Sequence, residues 1–203
     1  MVHDPVFSDY PKEIILKDGT GLTLRPLRAG DEFPLFQMYK ELPAEDRWFN
    51  DENVTEFSAI EGWVKDSGSP DNITLVAVLE GRILANGRLL REKGSPRAHI
   101  GKIRITVVPS YREKNLGTWV LFDLMNLAMS MGLKILVMEL VEDRDIAVIR
   151  SAKRLDFSPE AILKHFVKDD QGNYRNLIIM VKRLYLGWEY EGGLSLKNPL
   201  LRE

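Results

Sequence analysis

Cysteine is absent from the 203-residue chain, which excludes disulfides, thiolate metal sites and a cysteine nucleophile together. The three histidines, His3, His99 and His165, lie far apart, and such a scatter gives no metal site. No apolar run approaches the ~18 residues that a membrane span needs. The opening residues, MVHDPVFSDYPKE, carry acids and prolines where a signal peptide needs an apolar stretch. A basic excess is missing as well: 28 Lys and Arg face 30 Asp and Glu, for a formal net charge of −2. Nucleic-acid binders usually carry a basic stripe, so a polyanion is not the expected partner. These absences lead to the expectation of a cytoplasmic protein with neither nucleic acid nor membrane as partner.

What is present suits one packed domain, because 44% of residues are hydrophobic and 29% charged. Residues 13–25 read as two strands around Asp18-Gly19-Thr20-Gly21. Asp31 is placed to cap a helix containing Phe33, Phe36, Met38, Tyr39 and Leu42, and a second helix is predicted from about Thr55 to Lys65. Ile73–Leu79 and Arg82–Leu90 form a hairpin pattern about Glu80-Gly81. In Ala98–Val108 apolar and polar residues alternate, and the extra residue between Ile100 and Ile103 predicts a bulge. A long helix follows from about Lys114 to Met131, with Gly132 as its stop. Lys134–Val141 is a buried-looking strand, Asp145–Leu155 a short helix, and Ile162–Val167 with Tyr174–Leu184 a last hairpin. This order predicts an α+β or α/β domain of three layers around a mixed sheet. The domain spans 13–185, between an N-terminal extension at 1–12 and a tail at 186–203 whose Trp188 and Tyr190 suit a homodimer contact.

The strand-to-helix segment from Val107 to Thr118, VVPSYREKNLGT, resembles the signature of the GNAT superfamily, V-x-P-x-x-[RQ]-x-x-G-x-[GA]. Asp145–Phe157, DIAVIRSAKRLDF, resembles its second motif, N-x-x-A-x-x-x-Y-x-x-x-G-F. The opening LKDGTGLTLRPLRAGDE, with LPAEDRWF, is similar to the acetyltransferase domains of bacterial protein-lysine acetyltransferases. The resemblance implies a three-layer α/β/α domain with a central mixed, mostly antiparallel sheet. It also implies acetyl-CoA as cosubstrate and transfer of the acetyl group to a primary amine, on a small molecule or a protein lysine. The physics of the first motif is that of an anion cradle, since the first N–H groups of a helix have no intrahelical acceptor. The cofactor-binding set that follows is Thr106, Val107, Val108, Arg112, Glu113, Lys114, Asn115, Leu116, Gly117 and Thr118, with Asp145 at the usual Asn position.

Several motif positions depart from the pattern. Asn115 replaces the first motif glycine, and Glu113 sets a negative charge on a loop meant for pyrophosphate. Ala152 stands where many family members carry the tyrosine that protonates the leaving thiolate, and Lys102 where the lysine acetyltransferases carry an acid. Asp156 replaces a structural glycine. Acetyl transfer needs a base for the ammonium and a donor for the oxyanion. In the family a backbone N–H supplies the donor, here from Thr106 to Val108. Glu139 is the carboxylate placed to act as base, since burial in an apolar strand raises a carboxyl pKa. A structural role as counter-charge to Lys102 or Arg104 is the competing reading. Asp145 reads more simply as a helix N-cap, and Arg112 and Lys114 as phosphate partners. A GNAT-fold CoA-binding or regulatory module with weakened catalysis is the alternative function.

Overall fold

The computed structural model describes residues 7–50, 53–67 and 69–184. His3 and the tail residues Trp188 and Tyr190 lie outside them. The elements in chain order are β1 (Lys12–Ile15), β2 (Gly21–Pro26), α1 (Glu32–Lys40), α2 (Ala44–Trp48), α3 (Phe57–Asp66), β3 (Asn72–Leu79), β4 (Arg82–Arg91), β5 (Ile100–Val107), α4 (Leu116–Ser130), β6 (Ile135–Val141), α5 (Ile146–Arg154), β7 (Ser158–Lys168) and β8 (Tyr174–Arg183). Eight strands form one sheet in the order β1-β2-β3-β4-β5-β6-β8-β7. Every neighbouring pair is antiparallel except β5 and β6. The sheet is therefore mixed and mostly antiparallel.

The alternation along β4 and β5 divides the helices between the faces. Gly87 lies where an added Cβ would meet Val120 Cγ1 at 2.3 Å and Leu124 Cδ1 at 3.0 Å, so its lack of a side chain is what lets α4 lie against β4. Residues 86 and 88 point the other way, where Asn86 donates to Tyr39 of α1 and the Arg88 guanidinium stacks over Trp63 of α3. Helix α4 ends as its sequence predicts. Gly132 takes φ +73°, and the Leu133 N–H reaches back to the Ala128 carbonyl.

The bulge predicted between Ile100 and Ile103 is absent: β5 pairs with β4 in one unbroken register from Gly101 to Val107. Gly101 occupies a regular position on the apolar face, where a Cβ would stand 2.6 Å from Leu89 Cδ1 and 2.9 Å from Leu133 Cδ1. The apolar alternation thus runs Gly101, Ile103, Ile105, Val107, with one member lacking a side chain for want of room. The irregularity lies instead on β4, where pairing with β3 shifts at Ala77/Val78.

Asp31 stands at the start of α1 but does not cap it. Its carboxylate accepts from both terminal nitrogens of the Arg25 guanidinium, at 2.6 and 2.7 Å, and from the Arg28 N–H. Ahead of β1, Tyr10 donates to the buried carboxylate of Asp123 on α4.

Candidate active site between β5 and β6

The parallel pairing of β5 with β6 covers three rungs and ends at Lys102↔Val137. Beyond that rung β5 continues to Val107 alongside β4, and β6 continues to Val141 alongside β8. Each strand is held on its outer side only. The two therefore part into an opening inside the sheet.

Which backbone groups face the opening follows from the ladder. Val108 donates its N–H to Leu84 on β4, so the even residues of β5 spend their N–H groups on that neighbour. The N–H groups of Thr106 and Val108 therefore point away from the opening, and those of Ile105 and Val107 point into it. Of the segment 106–108 named from the sequence, Val107 alone presents its donor there. Ile105 joins it.

At the end of β5 the chain makes a short 3-10 turn over Pro109–Tyr111 and enters α4 through Arg112–Asn115. Glu113 and Asn115 adopt positive φ, 60° and 67°, the conformation for which glycine is favoured. Asn115 is the residue before the helix and makes no side-chain cap, so the N–H groups of Leu116, Gly117 and Thr118 stay uncapped. Its own carbonyl accepts the first helical bond, from Trp119. A Cβ added at Gly117 would meet Val107 Cγ2 at 3.6 Å, and without one the backbone is open to close approach.

The two basic residues of the loop are engaged by carboxylates. Lys114 pairs with Asp18 at 2.9 Å and lies over the Tyr111 ring. The hydrogen bond from Lys114, followed by those from Thr20, lowers the Asp18 pKa to about 2. Arg112 donates from Nε to the Val107 carbonyl at 3.0 Å and from a terminal nitrogen to Asp46 on α2. Asp46 also accepts from Arg144 at 2.9 Å. Burial pushes the Asp46 carboxyl up, but the bonds from Arg112 and Arg144 outweigh it and hold it below the ordinary range.

The helix-cap reading of Asp145 does not hold. The residue precedes α5 but gives no side-chain cap, and its carboxylate turns back to accept from the Val141 N–H at 2.7 Å. Burial raises its pKa against the opposing pull of Arg144. Asp156 takes φ 61°, as the glycine it replaces would. Ala152 is fully buried and has no proton to offer.

Glu139 is not buried. It pairs with Lys102 at 2.9 Å, and both side chains are 34% exposed. The burial invoked from the apolar strand is absent because the strand alternates: Met138 and Leu140 turn into the core while Glu139 turns outward. Lys102 is the last β5 residue paired with β6, so the ion pair sits where the opening begins. Lys102 is thus a counter-charge to Glu139, and Arg104 donates to the Phe49 carbonyl. His99 and His165 are exposed, and neither joins this constellation.

Two features escaped the sequence. Helix α2 lies against the opening, bordering a cleft of about 150 Å³ lined by Glu45, Phe49, Val141, Asp143, Arg144 and Arg175. Beyond β5, on the face of α1 and α3, Tyr39, Asn86 and Thr106 line a cavity of about 30 Å³ in which Asn86 Oδ1 and Trp63 Nε1 are unpaired. That is room for one water. Among the described residues no group of three or more His, Asp or Glu could hold a metal ion, and no helix is long and apolar enough to cross a membrane.

Comparisons with known proteins bear on the fold and the family. No curated protein matches the chain. The fold is shared with an acetyltransferase of the GNAT family from Streptococcus pneumoniae, at TM-score 0.72 and 19% identity over 80% of this chain and 99% of that one. It is shared equally with the GNAT domain of PAT from S. lividans, at TM-score 0.72 and 15% identity over 87% and 98%. A Salmonella typhimurium protein solved with its cofactor acetyl-CoA gives TM-score 0.70 and 20% identity over 83% and 97%. The family model described as "Acetyltransferase (GNAT) family" matches residues 35–157, more than half the chain and the whole of the β5–α4 and β6–α5 segments, so the chain belongs to the GNAT acetyltransferase family.

Proposed function

We propose that the protein is an acetyl-CoA-dependent N-acetyltransferase acting on a primary amine of a small molecule or a protein lysine. The observation that carries this reading is the coincidence of an uncapped α4 start with an opening edged by the Ile105 and Val107 N–H groups. Acetyl-CoA supplies an acetyl group already activated as a thioester.

The residues present fit that cosubstrate. Leu116, Gly117 and Thr118 offer three N–H groups at the positive end of a helix dipole, which suits a diphosphate. Ile105 and Val107 give strand-edge donors for amide or carbonyl oxygens in the opening. Glu139 stands at the inner end of the opening, where a carboxylate can take the ammonium proton of an acceptor through an ordered water. Lys102, 2.9 Å away, orients that carboxylate. Ala152 supplies no acid, so the thiolate departs without a proton from α5.

A second reading, a CoA-binding module of weak turnover, is favoured by the ion pairs that occupy Arg112, Lys114 and Glu139. Calorimetric titration with acetyl-CoA, followed by product detection across a panel of amines, separates the two. Binding with product supports the enzyme, and binding without product supports the module. Absence of binding removes both. A cytoplasmic setting and a homodimer belong to the same proposal.

A further inference from the structure

The opening between β5 and β6 is bridged at its outer end by a continuous chain of hydrogen bonds and ion pairs. Arg112 Nε binds the carbonyl of Val107, the last β5 residue, and its terminal nitrogen binds Asp46. Asp46 binds Arg144, Arg144 meets Asp145 at 3.3 Å, and Asp145 binds the N–H of Val141, the last β6 residue. The middle member of this chain comes from α2. The other members lie on the two strands or on the loops that follow them.

The way α2 is held makes that placement informative. Helices α1 and α3 each bury three side chains in the core, whereas α2 buries none. Polar and cationic contacts hold residues 44–50. Arg112 and Arg144 grip Asp46, Arg104 donates to the Phe49 carbonyl, Arg144 stacks on the Phe49 ring, and Trp48 donates to the Lys168 carbonyl. A segment with few buried apolar contacts opens at low cost, and contacts between charges can be exchanged for other charges.

We infer that α2 is an ionic strap across the site, and that the diphosphate of CoA releases it by replacing the Asp46 carboxylate on Arg112 and Arg144. The inference rests on reading the opening as a CoA site. Asp46 here acts as an internal anion that keeps two guanidinium groups occupied until a ligand with more negative charge arrives. The cleft of about 150 Å³ beside Glu45, Phe49 and Arg144 is the flank of the strap, so its displacement widens the entry on the side where an acceptor would approach.

The test uses the full chain with CoA as probe, in two arms. Asp46→Asn keeps the shape of the side chain and removes the competing charge, so CoA should bind on the order of tenfold more tightly than to wild type. In the wild-type protein, hydrogen exchange should show amides 44–50 losing protection as CoA saturates the site. Unchanged or weaker affinity in Asp46→Asn, with amides 44–50 unmoved in wild type, overturns the strap while leaving the CoA site intact. If Asp46→Asn does not fold, the wild-type exchange arm decides alone. If wild type binds no CoA at any concentration reached, the reading of the site fails, and the strap with it.

Discussion

Glu113 offers the sharpest perturbation of the anion cradle, because two of its properties can be removed separately. Its carboxylate makes no ion pair among the described residues and lies on the loop that precedes the uncapped α4 start. Its backbone is at φ 60°, a conformation that costs a non-glycine residue about 1 kcal/mol. Glu113→Gln removes the charge and keeps the backbone cost, whereas Glu113→Gly removes both. Two unit charges at roughly 8 Å in water interact by about 0.5 kcal/mol, so two phosphate charges amount to about 1 kcal/mol, or roughly fivefold in affinity. Both variants should therefore bind CoA about fivefold more tightly at low salt, by titration calorimetry. Near 1 M salt, where the screening length is about 3 Å, the gain should vanish. Thermal unfolding should separate the two. Glu113→Gly gains the relieved φ but loses part of it to the greater freedom of unfolded glycine, so it ends no more than about 1 kcal/mol above Glu113→Gln. Equal CoA affinity in wild type and Glu113→Gln at low salt would refute the claim that this loop meets phosphate.

The other expectations concern Glu139, Gly87 and Asp145. Glu139→Gln should lower turnover by about 10²–10⁴ while CoA affinity holds. Because the pair with Lys102 is partly exposed, its stability loss should stay within about 1 kcal/mol, and turnover within threefold of wild type would end the case for Glu139 as base. Gly87→Ala should cost about 1–3 kcal/mol, since the new Cβ meets a β-branched side chain on α4 at 2.3 Å. Calorimetry should show a melting temperature at least a few degrees lower, and an unchanged value would mean that α4 does not press on β4. For Asp145 the folded pKa is raised above its unfolded value, so the folded state holds the proton more tightly and stability is lost as pH rises through the folded pKa. Asp145→Asn keeps an acceptor for Val141 and should be the more stable form at pH 7, with the gap closing below pH 3.8. A gap that is the same at pH 3 and pH 7 would contradict the assigned burial.

Where a signal is local, the sequence was sufficient. Val107 to Thr118 is a contiguous run whose proline, left-handed Asn115 and helix start all act within a dozen residues. The stop at Gly132 and the hairpins were legible for the same reason. What was hidden depends on distance or register. Asp46 meets Arg112 and Arg144 across 66 and 98 residues of chain, and α2 buries nothing, so it leaves no apolar period to read. The facing N–H of Ile105 needs the β4–β5 register, which alternation alone does not number. The burial expected of Glu139 fails because KILVMELV looks apolar on both faces, while in the sheet its outward face is only partly covered. Gly101 looked like an interruption of the alternation. It is a member of it without a side chain.

The central claim is that CoA lies in the opening between β5 and β6 with its diphosphate at the start of α4. Amide hydrogen exchange on the full chain, with and without saturating CoA, tests it most directly. The claim predicts new protection at Ile105, Val107 and Leu116–Thr118. Protection gained only within residues 14–65, with the β5–α4 segment unaltered by bound CoA, would contradict it.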